Sequence, residues 1–439
     1  MAQADVGGTE APAESSAQPQ PYLRYRDMTL GYHGASEDQV DVTEYRIGWF
    51  GPTDADDPLT GDLWWATDFA VSEANRSRLN PSFAPPLVPR PSSPLPFRLV
   101  PRWSTDVWGT GVSQLARMVY EEEPLAVIGS IDSSATHLAE QVVAKANLPL
   151  VSPIATDKTA TLAGVAWMFS CAPADTAVAR VMVEAALEAA DRRTRPSGNH
   201  PTDTVEASGV TGVPRVEGSI LLLGTTDHDS RMTAREVMAE FSRRGRLPDL
   251  RVDLPAGAAD VRAQLGAATA RNPAVVIIIA AAEDAARLVR TTRELLGDVD
   301  ILGGPSMGRH RFVALAGLSA EGVRFPLLFS AHGGARHTVA FVEQFTSQRG
   351  RPPDYTAALA YDATRMLLEA IDRAGPNRAR IREVLLQLSP WPGVSGAIQF
   401  DGTGQNVRAD LRLGTVQHGV VVPVASDAST STPNPALAP

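Results

Sequence analysis

The most explicit candidate for catalytic chemistry is Gly304-Pro305-Ser306-Met307-Gly308, which matches the G-x-S-x-G pattern of a serine nucleophile. A serine hydrolase also needs an acid and a histidine, and Asp401 and His418 follow Ser306 in that order. However, the run His332-Gly333-Gly334, which could form an oxyanion hole, follows the serine, whereas lipase-like esterases place it before the nucleophile. We therefore favour a strand-to-helix turn at Ser306 and keep a serine hydrolase as an alternative.

A second candidate is the cluster Asp227-His228-Asp229, which directly follows a predicted strand and offers three possible metal ligands. The eight histidines are otherwise scattered, without the H-E-x-x-H spacing of zinc enzymes. The single cysteine, Cys171, excludes an intrachain disulfide framework and a cysteine-rich metal site. We interpret the cluster as the polar edge of a cleft, and we predict neither a metal nor a cofactor.

The most informative segment is the turn of Asp132, Ser133 and Ser134 between a short apolar strand and a helix. The helix is predicted over residues 137–146. Backbone N–H groups at a helix N-terminus favour anions, and hydroxyl groups there can cap the helix or hold a ligand carboxylate. The next strand ends near Thr156, and a parallel sheet would bring Thr156 beside Ser133, where open α/β sheets bind ligands.

The elements that must position these residues alternate between short β-branched runs and longer amphipathic stretches, from about Glu44 to Val424. Most strand candidates are continuous apolar runs, which suits strands covered on both faces by helices. This alternation predicts an α/β protein with parallel sheets. The predicted strands are Tyr45–Phe50, Phe97–Val100, Ala126–Gly129, Leu148–Val151, Ser219–Leu223, Leu250–Leu254, Ala274–Ala280, Asp300–Leu302, Val323–Phe329 and Ala397–Phe400.

Two insertions interrupt the alternation. Asn80–Pro96 is rich in proline, so it can form neither a helix nor a central strand. Asp191–Glu217 is polar and is predicted to be a long surface loop.

The composition, with 44% hydrophobic and 21% charged residues, is that of a globular protein, and 439 residues predict two or three domains. A net charge of −10 argues against nucleic acid as the main partner. No window approaches 18 consecutive apolar residues, so we expect no membrane-spanning helix. Met1–Pro21 lacks the basic and apolar regions of a signal peptide, and we expect residues 1–43 and 425–439 to be disordered tails.

Several blocks of the chain resemble, in order and spacing, the type I periplasmic solute-binding proteins, specifically the branched-chain amino acid and amide branch that serves ABC transporters. Together the blocks cover nearly all of residues 44–424, and their joint spacing is more specific than any single block. They are Ile47–Pro52, Leu59–Gly61, Ala70–Asn75, Ile128–Gly129, Ser133–Thr136, Pro149–Thr156, Leu315–Gly322, Ala360–Ala363, Ala370–Gly375, Gly393–Gly396 and Phe400–Gly402.

The resemblance implies an α/β fold of two doubly wound parallel-sheet lobes joined by three crossovers, with ligand bound in the cleft between them. Lobe one would comprise residues 44–170 and 331–388, and lobe two residues 171–330 and 389–424. By position, hydroxyl and backbone N–H groups of Ser133 and Thr156 would hold a carboxylate or an amide. The other cleft residues that the resemblance implies are Thr60, Asp132, Ser134, Ile154 and Ala155.

The chain departs from the family pattern on the side that binds the ligand's ammonium group. Thr60 and Asp229 stand where aromatic residues are common, and Ala282-Glu283 replaces a further aromatic residue of lobe two. At Ser306, where the family carries the acid that receives the ammonium group, no carboxylate is present. A cationic or hydroxylated ligand could instead be held by acids, namely Asp132, Asp227, Asp229 or Glu283.

The leading hypothesis is a non-enzymatic, extracytoplasmic protein that captures a small polar, amino-acid- or amide-like solute for the membrane permease of an ABC uptake transporter. The resemblance places it in the periplasm or otherwise outside the cytoplasmic membrane. We expect a monomer that binds no nucleic acid. The alternatives are a ligand-sensing domain of a receptor or regulator with the same fold, and the serine hydrolase based on Ser306.

Overall fold

The computed structural model describes residues 42–79, 95–157, 167–194, 216–258, 260–408 and 410–425. The strands in these ranges are β1 (Tyr45–Phe50), β2 (Phe97–Arg102), β3 (Ala126–Gly129), β4 (Leu150–Ser152), β5 (Met168–Pro173), β6 (Val216–Thr225), β7 (Leu250–Leu254), β8 (Pro273–Ile279), β9 (Asp300–Gly303), β10 (Arg324–Leu327), β11 (Trp391–Gly393), β12 (Gly396–Ile398), β13 (Gln405–Asn406), β14 (Arg412–Gln417) and β15 (Val420–Pro423).

The helices are α1 (Gly61–Leu79), α2 (Val112–Glu121), α3 (Ser133–Ala146), α4 (Asp175–Thr194), α5 (His228–Arg243), α6 (Val261–Thr269), α7 (Ala282–Leu296), α8 (His310–Ala316), α9 (Arg336–Arg349), α10 (Tyr355–Ala374) and α11 (Arg378–Gln387).

Two separate sheets divide the described residues into two lobes, as predicted. The sheet of lobe one has the order β13-β5-β4-β3-β1-β2, and all of its neighbouring strands run parallel. The sheet of lobe two has the order β15-β14-β10-β9-β8-β6-β7, in which β14 and β15 form an antiparallel edge. The first five strands of each lobe therefore follow the same doubly wound order, 2-1-3-4-5.

The central strands have the apolar sequences that parallel sheets covered on both faces require. All seven residues of β8 are buried, as are all four residues of β3. Helices α1 and α10 pack against each other on lobe one, whereas α4 and α5 pack together on lobe two. Because the central strands of each sheet run parallel, the polar turns that follow them lie at the same edge of that sheet.

The chain passes between the lobes three times, after β5, after β10 and after β13. The lobe boundary predicted at residues 170–171 falls inside β5, which pairs with β4 over Met168–Ser170 and with β13 at Ser170 and Pro173. Residues 389–406 lie with lobe one instead of the predicted lobe two. Their loop is anchored there by Asp362 of α10, whose carboxylate accepts hydrogen bonds from the backbone N–H groups of Val394 and Ser395.

Some predicted elements shift in extent. Helix α3 begins at Ser133, four residues before the predicted His137, because the Asp132 side chain caps it. The strand predicted over Ala397–Phe400 is β12, which pairs with β11 in a hairpin and joins neither main sheet. Strand β4 covers Leu150–Ser152 in place of Leu148–Val151.

Most of the two predicted insertions and most of the two predicted tails lie outside the described residues. At the described edges, α1 runs to Leu79, α4 extends to Thr194 and β6 begins at Val216. Among the described helices, none is long and apolar enough to cross a bilayer.

Candidate ligand-binding cleft

The turn that leads into α3 is held by its own sequence. At Gly129, with a positive φ of 142°, an added Cβ atom would lie 2.6 Å from the carbonyl oxygen of Phe50, so the close approach of β1 requires glycine. Three residues later, the carboxylate of Asp132 accepts a hydrogen bond of 2.6 Å from the N–H of Ala135. The strand end and this cap direct the N-terminus of α3 toward lobe two.

The loop after β4 packs against this helix start, so the predicted neighbours Ser133 and Thr156 are in contact. The N–H of Thr156 donates to Ser133 Oγ over 3.3 Å. Ala155 is buried, and its N–H donates to Ser152 Oγ. Ile154 and Ser134 are half-buried beside them. The predicted residues of lobe one other than Thr60 therefore lie together at the carboxyl ends of β3 and β4.

Lobe two brings a carboxylate to the same place. Asp229, in the first turn of α5, accepts a hydrogen bond of 3.2 Å from the backbone N–H of Ser133 through Oδ2. A protein carboxylate thus occupies the position at the α3 N-terminus where the resemblance implies a ligand carboxylate, and the helix dipole favours that negative charge.

A second link lies beside the first. His228 Nε2 is 3.1 Å from Oδ2 of Asp157, a buried residue in the loop after β4. Behind it, Asp175 at the first crossover accepts a hydrogen bond of 2.9 Å from Thr233 Oγ1, and its own N–H donates to the carbonyl oxygen of Thr156. We call the group Asp132, Ser133, Asp157, His228 and Asp229 the acidic contact.

Three carboxyl groups in and around the acidic contact have a raised pKa. Burial, reinforced by the charge of Asp132, raises the pKa of Asp229 to about 6. Burial raises the pKa of Asp175 to about 7. Burial and the charge of Asp157 raise the pKa of Glu140, on α3, to about 8. The contact is therefore a place where carboxyl groups lie close together in a low dielectric.

The lobes also meet through Arg309, which directly precedes α8. Its Nη2 donates to the carbonyl oxygen of Leu59 over 2.5 Å, and its Nε lies 3.9 Å from Oδ2 of Asp354. The N–H of His310 donates to the same carboxylate oxygen. We call the group Leu59, Arg309, His310 and Asp354 the arginine contact.

Thr60 lies next to the arginine contact. Its N–H and its hydroxyl both donate to Oδ1 of Asp57, over 2.7 and 2.8 Å, so both of these donors hold the loop before α1. Although burial opposes it, these hydrogen bonds from Thr60 lower the pKa of Asp57. The predicted Thr60 therefore shapes the loop that Arg309 contacts.

Glu283 and Ser306 lie in lobe two, near the carboxyl ends of β8 and β9, outside the acidic contact. Glu283 pairs with Arg311 of α8 at 3.0 Å. Ser306 Oγ donates to the carbonyl oxygen of Ala280 over 2.7 Å. Among the described residues, neither side chain forms a hydrogen bond or an ion pair with lobe one.

The geometry contradicts the serine hydrolase alternative. Strand β14 runs antiparallel to β10, so its last residue, Gln417, lies at the start of β10. His418 therefore lies at the sheet edge opposite to Ser306, which follows the end of β9. Asp401 accepts hydrogen bonds from its own loop on lobe one. The three residues of the predicted triad are not brought together.

The Asp227-His228-Asp229 cluster is also not arranged around one point. Asp227 caps α5 by accepting from the N–H of Ser230, while its second oxygen accepts from Thr225 Oγ1. His228 and Asp229 turn to different partners on lobe one. In the part of the chain that the structure describes, no group of three or more possible ligands is placed to hold a metal ion.

Comparison with known proteins decides the family. The model of the periplasmic binding protein family matches residues 106–420, well over half of the chain. The chain belongs to the periplasmic binding protein family. Membership implies an extracytoplasmic location, and the fold is that of ABC transporter substrate-binding proteins. A search of curated protein sequences found no match.

Solved structures of periplasmic binding proteins share the fold at low sequence identity. A leucine-binding protein from Thermotoga maritima is 21% identical, with a TM-score of 0.68, over 87% of this chain and 98% of that one. A branched-chain amino acid binding protein from Streptococcus pneumoniae, in complex with isoleucine, is 19% identical, with a TM-score of 0.67, over 87% and 100%. A solute-binding protein from R. palustris, in complex with benzoate, is 14% identical, with a TM-score of 0.67, over 88% and 98%.

Three residues of the candidate cleft of this periplasmic binding protein were not predicted from the sequence. Asp157 and Arg309 contact the opposite lobe, and Tyr355, the first residue of α10, lies within electrostatic range of Arg309, Asp354 and Asp229. Burial raises the pKa of Tyr355 to about 12. The position of Asp157 directly after the predicted Thr156 could have indicated a place in the cleft. Nothing in the local sequence distinguishes Arg309 or Tyr355 in this way.

Proposed function

We propose that this protein captures a small polar solute between its lobes, in the cleft at the acidic contact, and delivers it to the membrane permease of an ABC uptake transporter. One observation carries the proposal: the backbone N–H of Ser133 and the carboxylate of Asp229, from opposite lobes, meet at the carboxyl ends of β3 and β6. In both sheets this is the point where the strand order reverses, which is where doubly wound sheets bind ligands.

The residues at this point can bind a solute without chemical change. They supply a hydroxyl group on Ser133, backbone N–H groups at a helix start, and carboxylates of Asp132 and Asp229. Because the groups come from two lobes, a solute that contacts both stabilises the closed arrangement relative to an open one. Binding energy is thereby coupled to lobe closure, the change that a permease could recognise.

The remaining parts of the proposal follow the family. We propose an extracytoplasmic, non-enzymatic monomer whose partners are the solute and a permease, with no nucleic acid partner. A ligand-sensing domain with the same fold would bind solute equally well. Solute uptake by cells that lack this protein alone separates the two roles, because a transport protein is needed for uptake and a sensor is not.

Thermal unfolding in the presence of solutes tests the binding function. The panel consists of amino acids, amides, urea, aromatic acids, amines and short polyols. A true ligand at one hundred times its dissociation constant should stabilise the protein by about 2.7 kcal/mol and raise its Tm. The Ser133→Ala variant loses the oxygen that accepts from Thr156, so it should show a smaller shift.

The matched control is Ser72→Ala, because Ser72 is exposed on α1. Ligand binding by this control should equal that of the wild type. If no solute raises the Tm of the wild type, or if Ser133→Ala responds as fully as Ser72→Ala, the proposed cleft function is wrong. Labelling of Ser306 by a fluorophosphonate probe would contradict the non-enzymatic role.

A further inference from the structure

The charge of the cleft is the reverse of what a carboxylate ligand needs. Asp229 reaches the α3 N-terminus with the carboxylate of Asp132 close enough to act on it, and Asp227 adds a further negative charge. His228 opposes these charges, but its imidazole is already engaged with Asp157. A second anion placed here would meet carboxylates on both sides of the cleft.

The two oxygens of Asp229 differ in their surroundings. Oδ2 accepts from Ser133 across the cleft. Oδ1 is buried, yet it accepts no hydrogen bond from any of the described residues. Buried carboxylate oxygens are normally satisfied by donors, so this one is placed to accept a hydrogen bond from a bound ligand.

Tyr355 provides a second polar group within electrostatic range of Asp229. Its side chain is half-buried where the electrostatic influence of Asp229 and of Arg309 overlaps. Within the described ranges, no hydrogen bond to its hydroxyl group is formed. A tyrosine offers a hydroxyl acceptor and an aromatic face, both of which favour a cation.

A carboxylate ligand would need the Ser133 N–H, the donor that Asp229 already uses. It would have to displace Asp229 and then remain beside it in a buried site. A cation needs no such displacement, because it can bind Oδ1 while Oδ2 stays on Ser133 and thereby offset the crowded negative charge.

We infer that Asp229 Oδ1 receives a donor-bearing cationic group, so that the solute is a small organic cation, an amine or a guanidinium compound, and not a carboxylate. This inference rests on the proposed function, since it names the ligand class of the same cleft. Asp229 is then a binding residue that also holds the lobes together, and Asp132 strengthens the negative field around it.

Isothermal titration of the full chain tests the inference. The probes are agmatine, putrescine and guanidinium chloride as cations, leucine and benzoate as carboxylate compounds, and sodium chloride at matched ionic strength. We expect at least one organic cation to bind more tightly than either carboxylate compound. The Asp229→Asn variant, which keeps the size and an oxygen for Ser133, should bind that cation at least tenfold more weakly.

The control Asp298→Asn removes an exposed carboxylate of lobe two and should leave the affinity unchanged. Tighter binding of leucine or benzoate than of every cation would overturn the inference and leave the proposed function intact. Equal cation affinity in Asp229→Asn and the wild type would also overturn it. If none of the probes binds and no solute of the thermal panel raises the Tm, both proposals fail.

Discussion

The arginine contact and the acidic contact join the same two lobes by different means. In the arginine contact a buried guanidinium faces a carbonyl oxygen and the carboxylate of Asp354, so opposite charges lie together. In the acidic contact, carboxylates from both lobes share a few donors, and one buried oxygen of Asp229 has no donor among the described residues. The first contact pairs opposite charges, although Arg309 Nε also has no hydrogen-bond partner among the described residues, whereas the second contact brings like charges together.

This difference suggests a division of labour. An ion pair of opposite charges from the two lobes can hold the lobes in register. Crowded carboxylates with an acceptor oxygen that has no donor are stabilised by a bound cation. This is the behaviour expected of a binding site. Stability should therefore depend on the arginine contact, and ligand binding should depend on the acidic contact.

The largest expected loss of stability is that of Arg309→Met. The Arg309 side chain is 15% exposed and that of Asp354 6%, so the variant leaves a buried carboxylate without its cation. Breaking such a pair costs about 3 kcal/mol in the free energy of unfolding, measured by urea denaturation.

The control for this prediction is Arg262→Ala, which removes an exposed pair with Glu294 and should cost less than about 1 kcal/mol. If Arg309→Met is as stable as this control, the arginine contact does not hold the lobes together.

The second prediction concerns pH. Glu140, Asp175 and Asp229 have pKa values raised to about 8, 7 and 6, above the values near 4 of an unfolded chain. The folded state therefore binds more protons between about pH 4 and 8, and these groups make stability fall as pH rises through that window. Each contributes a slope of at most about 1.4 kcal/mol per pH unit.

Glu140→Gln should flatten this decline, because it removes the carboxyl with the highest pKa of the three. The matched control is Glu343→Gln, on the exposed face of α9, which should keep the wild-type slope. Urea denaturation at half-unit steps of pH measures both. A wild-type stability that rises from pH 5 to 8, with no difference between the variants, would contradict this account.

The smallest effect is expected at Asp132, which has two separable roles. Asp132→Ala removes the α3 cap and should cost about 1 kcal/mol of stability. Asp132→Asn keeps a capping oxygen and removes the charge, so it should cost little while it weakens cation binding. Equal stability of the two variants would show that the cap is not needed, and equal cation affinity of Asp132→Asn and the wild type would remove Asp132 from the site.

Much of this arrangement was predictable from local sequence. Apolar runs such as Tyr45–Phe50 and Ala126–Gly129 coincide with β1 and β3, because burial on both faces leaves a clear pattern. The proximity of Ser133 and Thr156 was also predictable. Asp132 is a typical helix cap, and the carboxyl ends of neighbouring parallel strands lie at the same edge of a sheet.

The contacts between lobes were not predictable in the same way. Asp229 and Ser133 are 96 residues apart, and Arg309 and Leu59 are 250 apart, so their pairing depends on how closely two sheets approach. No periodicity encodes that distance. Glu283 was included among the predicted cleft residues for the same reason. Its pairing with Arg311 is set by helix packing within lobe two, which the local sequence does not encode.

The most direct measurement is a crystal structure of the protein with the solute that raises its Tm most. The account predicts a ligand nitrogen within hydrogen-bonding distance of Asp229 Oδ1, with Oδ2 still on the N–H of Ser133. A ligand carboxylate on the Ser133 N–H, with Asp229 turned away, would contradict it.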